Sequence, residues 1–216
     1  MRTIQPEPFN VYTIDELTDE KAKKRAIEFC KEDATSDELL FEMVTDEAEE
    51  QLTSMGFYEP KIYYSCSYSQ GDGACFVANT MFHFDKFLPA IKKFFNKEDW
   101  KALQKIQKSG MELELSLSHR GMYYHEKSVT VSLTLHDHGI DGYVVKKVGG
   151  VFVETHITHY VAEIETVIQN WYEAFCQNLY KKLCAEIEYF WKDENCIQHA
   201  KDCEFEFTES GKLYQD

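Results

Sequence analysis

The fold class is decided by the stretch Met111-Glu112-Leu113-Glu114-Leu115-Ser116-Leu117-Ser118, in which apolar and polar side chains alternate without a break. Successive side chains of a strand point to opposite faces of a sheet, so this pattern predicts a strand with one buried face and one wet face. Residues 129–135 repeat the alternation, and residues 143–153 give a third strand that is interrupted at Gly149 and Gly150. An antiparallel meander is the simplest connection of the three.

Working outward, residues 62–78 predict a β-hairpin whose alternation is broken by Gln70-Gly71-Asp72-Gly73. Residues 161–191 carry an apolar side chain every three or four positions, which predicts one long helix. Two earlier segments, ending near residues 33 and 56, show the same period and begin at capping residues. We therefore expect an α+β fold with an N-terminal helical hairpin, a mainly antiparallel sheet (hairpin plus meander) and a long C-terminal helix.

Length and composition predict a single α+β domain over residues 1–216, with residues 1–56 as an acidic helical subregion. No apolar run approaches the roughly 20 residues needed to span a bilayer, and the first residues lack the apolar core of a secretory signal. Seven cysteines without a C-x-x-C pair are typical of free thiols in a reducing compartment. We expect a cytoplasmic protein that needs no cofactor and makes no membrane contact.

The net charge of −15 is concentrated in residues 1–60, which hold 16 acidic and 6 basic side chains. Such a field repels phosphate backbones and argues against direct nucleic-acid binding, whereas it suits a partner protein with a basic surface. Solubility alone explains the same charge. The predicted partner-binding residues are Asp46, Glu47, Glu49 and Glu50.

Two loops are the candidate ligand site. The first comprises Ser69, Gln70, Gly71, Asp72 and Gly73, where two glycines permit a positive φ and leave N–H groups unshielded for an anion or a partner. No Gly-Lys-Ser/Thr follows, so the loop is not a P-loop, and a plain hairpin turn accounts for the same residues.

The second loop contributes Arg120, Tyr124 and His125, next to His119, and meets the first if both hairpin ends lie on one side of the sheet. In an enzyme, His125 would be a general base and Arg120 a phosphate clamp. No nucleophile motif accompanies them, and a packed loop is the simpler interpretation. The sequence favours binding over catalysis, and we assign no catalytic residue.

A metal site is a further hypothesis. His136 and His138 share one face of a strand, with His156 or His159 as a third ligand. The neighbouring turn Gly139-Ile140-Asp141-Gly142 explains a polar cluster equally well, and we assign no metal ligand.

The run Tyr64-Ser65-Cys66-Ser67-Tyr68-Ser69-Gln70-Gly71-Asp72-Gly73-Ala74-Cys75-Phe76 resembles the S-Q-G-D-G-x-x-F signature of small uncharacterised proteins from bacteriophages and mobile elements, some of them loosely antitoxin-like. Similar segments are residues 11–26, 120–129 and 204–214. The resemblance implies a phage or mobile-element origin, and hence a role in manipulating a bacterial host cell.

Together these observations predict a phage-type accessory protein that neutralises a host factor, as an anti-defence or antitoxin-like protein, by stoichiometric binding. The first alternative is a protein that binds a small anionic, nucleotide-like ligand at the two loops. The second is a hydrolase that depends on histidine or metal. The aromatic stripe of the long helix predicts either a homodimer or burial within one chain.

Overall fold

The computed structural model describes residues 10–36, 39–67, 69–79, 84–108, 112–136, 143–148 and 151–214. The helices are α1 (Glu20–Ser36), α2 (Leu39–Ser54), α3 (Phe84–Ile91), α4 (Lys97–Lys108), α5 (Ile157–Phe190) and α6 (Asp193–Asp202). The strands are β1 (Tyr58–Ser65), β2 (Gly73–Asn79), β3 (Glu112–His119), β4 (Val129–His136), β5 (Tyr143–Val148) and β6 (Val151–His156). Short 3-10 helices follow α3 and precede β4, at Lys92–Phe94 and Glu126–Ser128.

The chain divides into two compact units, Met1–Met43 with Leu183–Asp216 as unit 1 and Val44–Lys182 as unit 2. Helices α2 and α5 run from one unit into the other. The expected α+β class is confirmed, and the prediction of one domain stays a prediction.

Unit 1 is built on α1 and α6, which pack against each other. Helix α1 begins directly after Asp19, whose carboxylate caps it by accepting a hydrogen bond from the Ala22 N–H at 3.1 Å. Tyr12, Phe207 and Leu213 add two isolated antiparallel bridges beside the helices. The core of the unit is formed by apolar residues of all these segments: Ile14, Leu17, Ala22, Ala26, Ile27, Cys30, Cys196, Ala200 and Phe207.

Unit 2 contains three antiparallel hairpins, β1–β2, β3–β4 and β5–β6. In the second hairpin Leu113, Leu115 and Leu117 pair with Leu135, Leu133 and Val131. The three leucines of β3, with Val131 and Leu133 of β4, are buried, as the alternation quoted above predicts. Helix α5 covers the core of the unit with Tyr160, Ile164, Ile168, Trp171 and Tyr172.

Side chains of α5 also occupy the outer edges of two hairpins. The Tyr172 hydroxyl donates to the Phe76 carbonyl at 2.7 Å and accepts from the Phe76 N–H at 3.0 Å. The Glu165 carboxylate accepts from the Leu133 N–H at 2.9 Å, and the Gln169 side-chain oxygen accepts from the Val131 N–H at 3.4 Å. Because α5 takes these N–H groups, β4 cannot pair with β5 there, and the expected meander is replaced by separate hairpins.

None of the helices in the described part of the chain combines the length and the apolar composition that a membrane-spanning helix requires. Trp171 and Tyr172 of the aromatic stripe are buried within unit 2, in agreement with the interpretation that the stripe packs within one chain. The homodimer stays a prediction.

Candidate functional site

The Ser69–Gly73 loop is organised by the Asp72 carboxylate. It accepts hydrogen bonds from the hydroxyls of Ser65 at 2.7 Å, Ser67 at 3.0 Å and Ser69 at 3.2 Å, and from the Ser69 N–H at 2.9 Å. The Asp72 N–H in turn donates to the Ser69 carbonyl, which closes the turn. The serines of this stretch therefore bind a carboxylate of the chain itself, and the hydrogen bonds that organise the loop are internal to it.

Two opposing effects act on Asp72. Desolvation by burial acts to raise the pKa of this carboxyl, whereas the hydrogen bonds from Ser65, Ser69 and Ser67 lower it. The hydrogen bonds outweigh the desolvation, so the pKa of Asp72 lies below its ordinary value. The carboxylate is negatively charged at neutral pH, which makes the turn itself a poor place for an anion.

The second loop lies directly against the first. A Cβ on Gly71, where φ is +101°, would stand 2.3 Å from Cδ1 of Tyr123. A Cβ on Gly73 would stand 2.6 Å from Cβ and 2.8 Å from Cα of His125. The two glycines thus admit the Tyr123–His125 segment to a distance that no other residue type permits.

The juxtaposed loops create a cluster of stacked rings. We call these rings, together with the neighbouring Arg120, the loop face and define it as Tyr63, His119, Arg120, Tyr123, Tyr124 and His125. The ring centroids of Tyr63 and Tyr124 are 5.5 Å apart at an interplanar angle of 21°, and His119 lies 6.1 Å from Tyr63. Tyr123 and His125 form a second stacked pair at 6.3 Å. Tyr63, Tyr123 and Tyr124 keep 36%, 50% and 38% of their surface exposed, and Arg120 is exposed as well.

Both histidines of the loop face help to hold the backbone. His119 Nε2 lies 3.0 Å from the Tyr123 carbonyl, which can only accept, so this nitrogen carries the proton. His125 Nδ1 accepts from the Lys127 N–H at 3.1 Å and is therefore unprotonated in this arrangement. Arg120 N–H donates to the Ser128 carbonyl at the base of the loop. These bonds are those of the packed loop that the sequence offered as the simpler interpretation.

The sequence brought Ser69–Gly73 and the Arg120, Tyr124 and His125 loop into one candidate site, and the structure places them together. Tyr63 and Tyr123 were missed. Their signal was weak, because Tyr63 falls on the outward face of β1 and Tyr123 in an irregular loop. The register pairs Cys75 with Tyr63, so Cys75 does not lie opposite Cys66.

The predicted partner-binding carboxylates lie on α2. Asp46, Glu47 and Glu50 are exposed and Glu49 is half-buried. Glu47 pairs with Lys182 of α5, with 2.9 Å between Oε2 and Nζ. Asp46, Glu49 and Glu50, together with Thr53 and Ser54, line an open groove of about 530 Å³.

The metal hypothesis falls outside what the structure describes. His138 is not among the described residues, and the side chains of His136, His156 and His159 are likewise outside them. Within the described part of the chain, no group of three or more His, Cys, Asp or Glu side chains is arranged to hold a metal ion.

Comparison with known proteins identifies a family whose matched region includes both the loop face and helix α2. Residues 40–193 match a family described as Domain of unknown function (DUF8835). No curated protein and no solved structure matches the chain. The matched segment contains both loops, α2 from its second residue, and all of α5. Since it covers most of the sequence, the chain belongs to the family described as Domain of unknown function (DUF8835).

Proposed function

We propose that this protein acts by stoichiometric binding and docks the acidic face of α2 onto a basic surface of a partner protein. We define the acidic face as Asp46, Glu47, Glu49 and Glu50. The observation that carries the proposal is their position: three of the four carboxylates are exposed on one helix, beside an open groove. Clustered charge of one sign accelerates encounter with a partner of opposite sign.

The partner is a host factor of a bacterial cell, and the protein neutralises it in the cytoplasm. Support for this part comes from the resemblance of Ser69–Phe76 to phage and mobile-element proteins. An anti-defence or antitoxin-like inhibitor needs no chemistry of its own, since occupying the partner's surface is sufficient. Because Glu47 already pairs with Lys182, we expect Asp46, Glu49 and Glu50 to make the main contacts with the partner protein.

The test is a comparison of bound host proteins between variants. The Asp46→Lys/Glu50→Lys double variant reverses two exposed charges of the acidic face. We expect a host protein that is captured from bacterial lysate by the wild type to bind this variant at least about tenfold more weakly, as expected when close charge pairs turn repulsive. Titration of the purified partner at low and high salt measures the effect.

The matched control is Glu188→Lys/Glu209→Lys, which makes the same charge change at two exposed positions elsewhere. The control variant should retain wild-type affinity. Equal weakening by both double variants would show that only total charge matters, and unchanged affinity in the Asp46→Lys/Glu50→Lys variant at low salt would overturn the proposal.

The loop face favours a second candidate, a small ligand that combines a planar ring with an anionic group. Tyr63 and Tyr124 present a partly exposed stack, and Arg120, which follows His119 in the chain, is exposed. Aromatic faces bind nucleobases by stacking, and arginine binds phosphate.

Adenosine monophosphate is a suitable probe for this second candidate. By calorimetry, Tyr124→Ala should weaken its binding about tenfold, in line with roughly 1–3 kcal/mol per stacked base. Tyr58→Ala, at an exposed tyrosine outside the loop face, is the control and should leave binding unchanged. Absence of binding to the wild type at millimolar nucleotide would exclude this candidate, while leaving the acidic-face proposal untouched.

A further inference from the structure

A thiol, an imidazole and a carboxylate meet in unit 1, far along the sequence from the loop face. Cys203 follows the last residue of α6 and is exposed. Its Sγ lies 3.7 Å from Nδ1 and 3.9 Å from Nε2 of His199, one helical turn earlier. A cysteine next to a histidine that can take its proton is the usual setting of a nucleophilic thiol.

The third member, Asp33, comes from α1. Its Oδ2 lies 3.1 Å from Nε2 of His199. A carboxylate only accepts, so Nε2 carries the ring proton and Nδ1 keeps its lone pair. The Phe205 ring stands edge-on to His199, with 5.7 Å between the ring centroids. Both side chains are partly buried, with side-chain exposures of 24% for His199 and 39% for Asp33.

A groove lies at the same end of α6, although Cys203 and His199 are not among the residues that line it. Residues on either side of Cys203 line a volume of about 360 Å³: Ala200, Lys201, Glu204 and Phe205, with Glu206 and residues 13–15 opposite. Lys201 pairs with Asp15 at 2.7 Å. The remaining charges of the lining, Glu204 and Glu206, are negative, so the groove attracts cations and repels anions.

We propose that Cys203 is a reactive site for thiol–disulfide exchange with small cationic disulfides. The thiol proton passes to Nδ1 of His199, and the Cys203 thiolate attacks one sulfur of the disulfide. The original S–S bond breaks, a mixed disulfide forms on Cys203, and the other half leaves as a thiolate and takes a proton. Cys203 is oxidised and the small disulfide is reduced, with no further oxidant.

The other cysteines of unit 1 serve as internal references. Cys30 and Cys196 are buried, and burial, with the nearby Cys196, Asp33 and Cys203, raises the pKa of Cys30 to about 12. Cys184 is half-buried. The reaction site is independent of the acidic face and the loop face, and Cys203 lies outside residues 40–193.

The test uses the full reduced chain and two reagents, dicationic cystamine and dianionic dithiodipropionate, with peptide mapping by mass spectrometry. Cys203 should react faster than Cys184 and Cys66 with cystamine, and about tenfold faster with cystamine than with dithiodipropionate. These comparisons need only the wild type. A Cys203 rate equal to that of Cys184, or equal rates for the two reagents, would overturn the proposal.

Variants then test the roles of the other two residues. His199→Gln should slow the reaction of Cys203 about fivefold or more. Asp33 is a positioning residue, so Asp33→Asn should slow Cys203 and Asp33→Glu should restore it. Labelling of buried Cys30 and Cys196 reports loosening of unit 1 and should stay at its wild-type level. Slower Cys203 reaction accompanied by faster Cys30 labelling would assign His199 and Asp33 a structural role only and reject the proton transfer.

Discussion

At the scale of single residues, the loop face depends on Gly73, which has no side chain. Gly73 lies where a Cβ would meet both Cβ and backbone Cα of His125. A flexible side chain can move aside, whereas a backbone atom held by the His125–Ser128 turn cannot.

We therefore expect Gly73→Ala to lower the free energy of unfolding by about 1–3 kcal/mol, the usual cost of overpacking. Urea denaturation measures it. Gly71→Ala meets only the ring of Tyr123, so Tyr123→Ala should relieve part of its cost, the remainder being strain at positive φ. If Tyr123→Ala relieved Gly73→Ala equally, the contact with His125 would be unimportant.

Asp72 gives a prediction with a defined pH dependence. Its pKa is lowered in the folded protein, so its stabilising contribution is fully present above the unfolded-state pKa near 4 and is lost as the pH falls through the folded pKa. Asp72→Asn should cost about 1–2 kcal/mol at pH 7, as for hydrogen bonds to a charged acceptor, and less at pH 3. A difference that did not shrink at pH 3 would contradict the ionic role of the carboxylate.

At the scale of elements, the most informative contact joins α5 to β2. The Tyr172 hydroxyl bonds both polar backbone groups of Phe76 in a buried position, where burial also raises the pKa of the phenol. Tyr172→Phe keeps the ring and removes both bonds.

Tyr172→Phe should lower the free energy of unfolding by about 2–4 kcal/mol, because two buried backbone groups lose their partner. Chemical denaturation gives the value, and Tyr189→Phe, at an exposed tyrosine of the same helix, is the matched control with an expected change near zero. A small effect of Tyr172→Phe would mean that water replaces the hydroxyl.

Local periodicity predicted most of the elements because it records burial. The leucines of β3 and the apolar stripe of α5 have the spacing of their elements, and both elements form as expected. The sequence could not predict that Glu165 and Gln169 bind strand edges. The pattern of polar and apolar residues along a helix is the same whether a polar side chain bonds a strand N–H or points into solvent. The separation into hairpins follows from those two residues.

The candidate site was predictable in part for the same reason. The glycines of Gly71-Asp72-Gly73 indicated an unusual turn, and His125 and Arg120 indicated a polar loop. Neither pattern indicates whether two loops that are far apart in the sequence lie close together in the folded chain. The stacking of Tyr63 on Tyr124 could therefore be found only in the structure.

At the scale of the whole molecule, the net charge of −15 opposes folding through self-repulsion. Raising NaCl from low to physiological concentration should raise the melting temperature by a few degrees, since salt screens exposed charges beyond a Debye length of about 8 Å. Calorimetry measures the shift. The variant that combines Asp46→Lys, Glu50→Lys, Glu188→Lys and Glu209→Lys should show a clearly smaller response, and an equal response would point to effects other than screening.

The covering of strand edges by α5 also bears on biosynthesis. The ribosome makes the three hairpins before it makes α5, so the Phe76, Val131 and Leu133 amides emerge without the side chains that later bind them. At roughly 5–20 residues per second, the nascent chain spends a few seconds in this state after β4 is complete. Uncovered strand edges template pairing with other chains, so we expect the nascent chain to be most prone to aggregation during this interval.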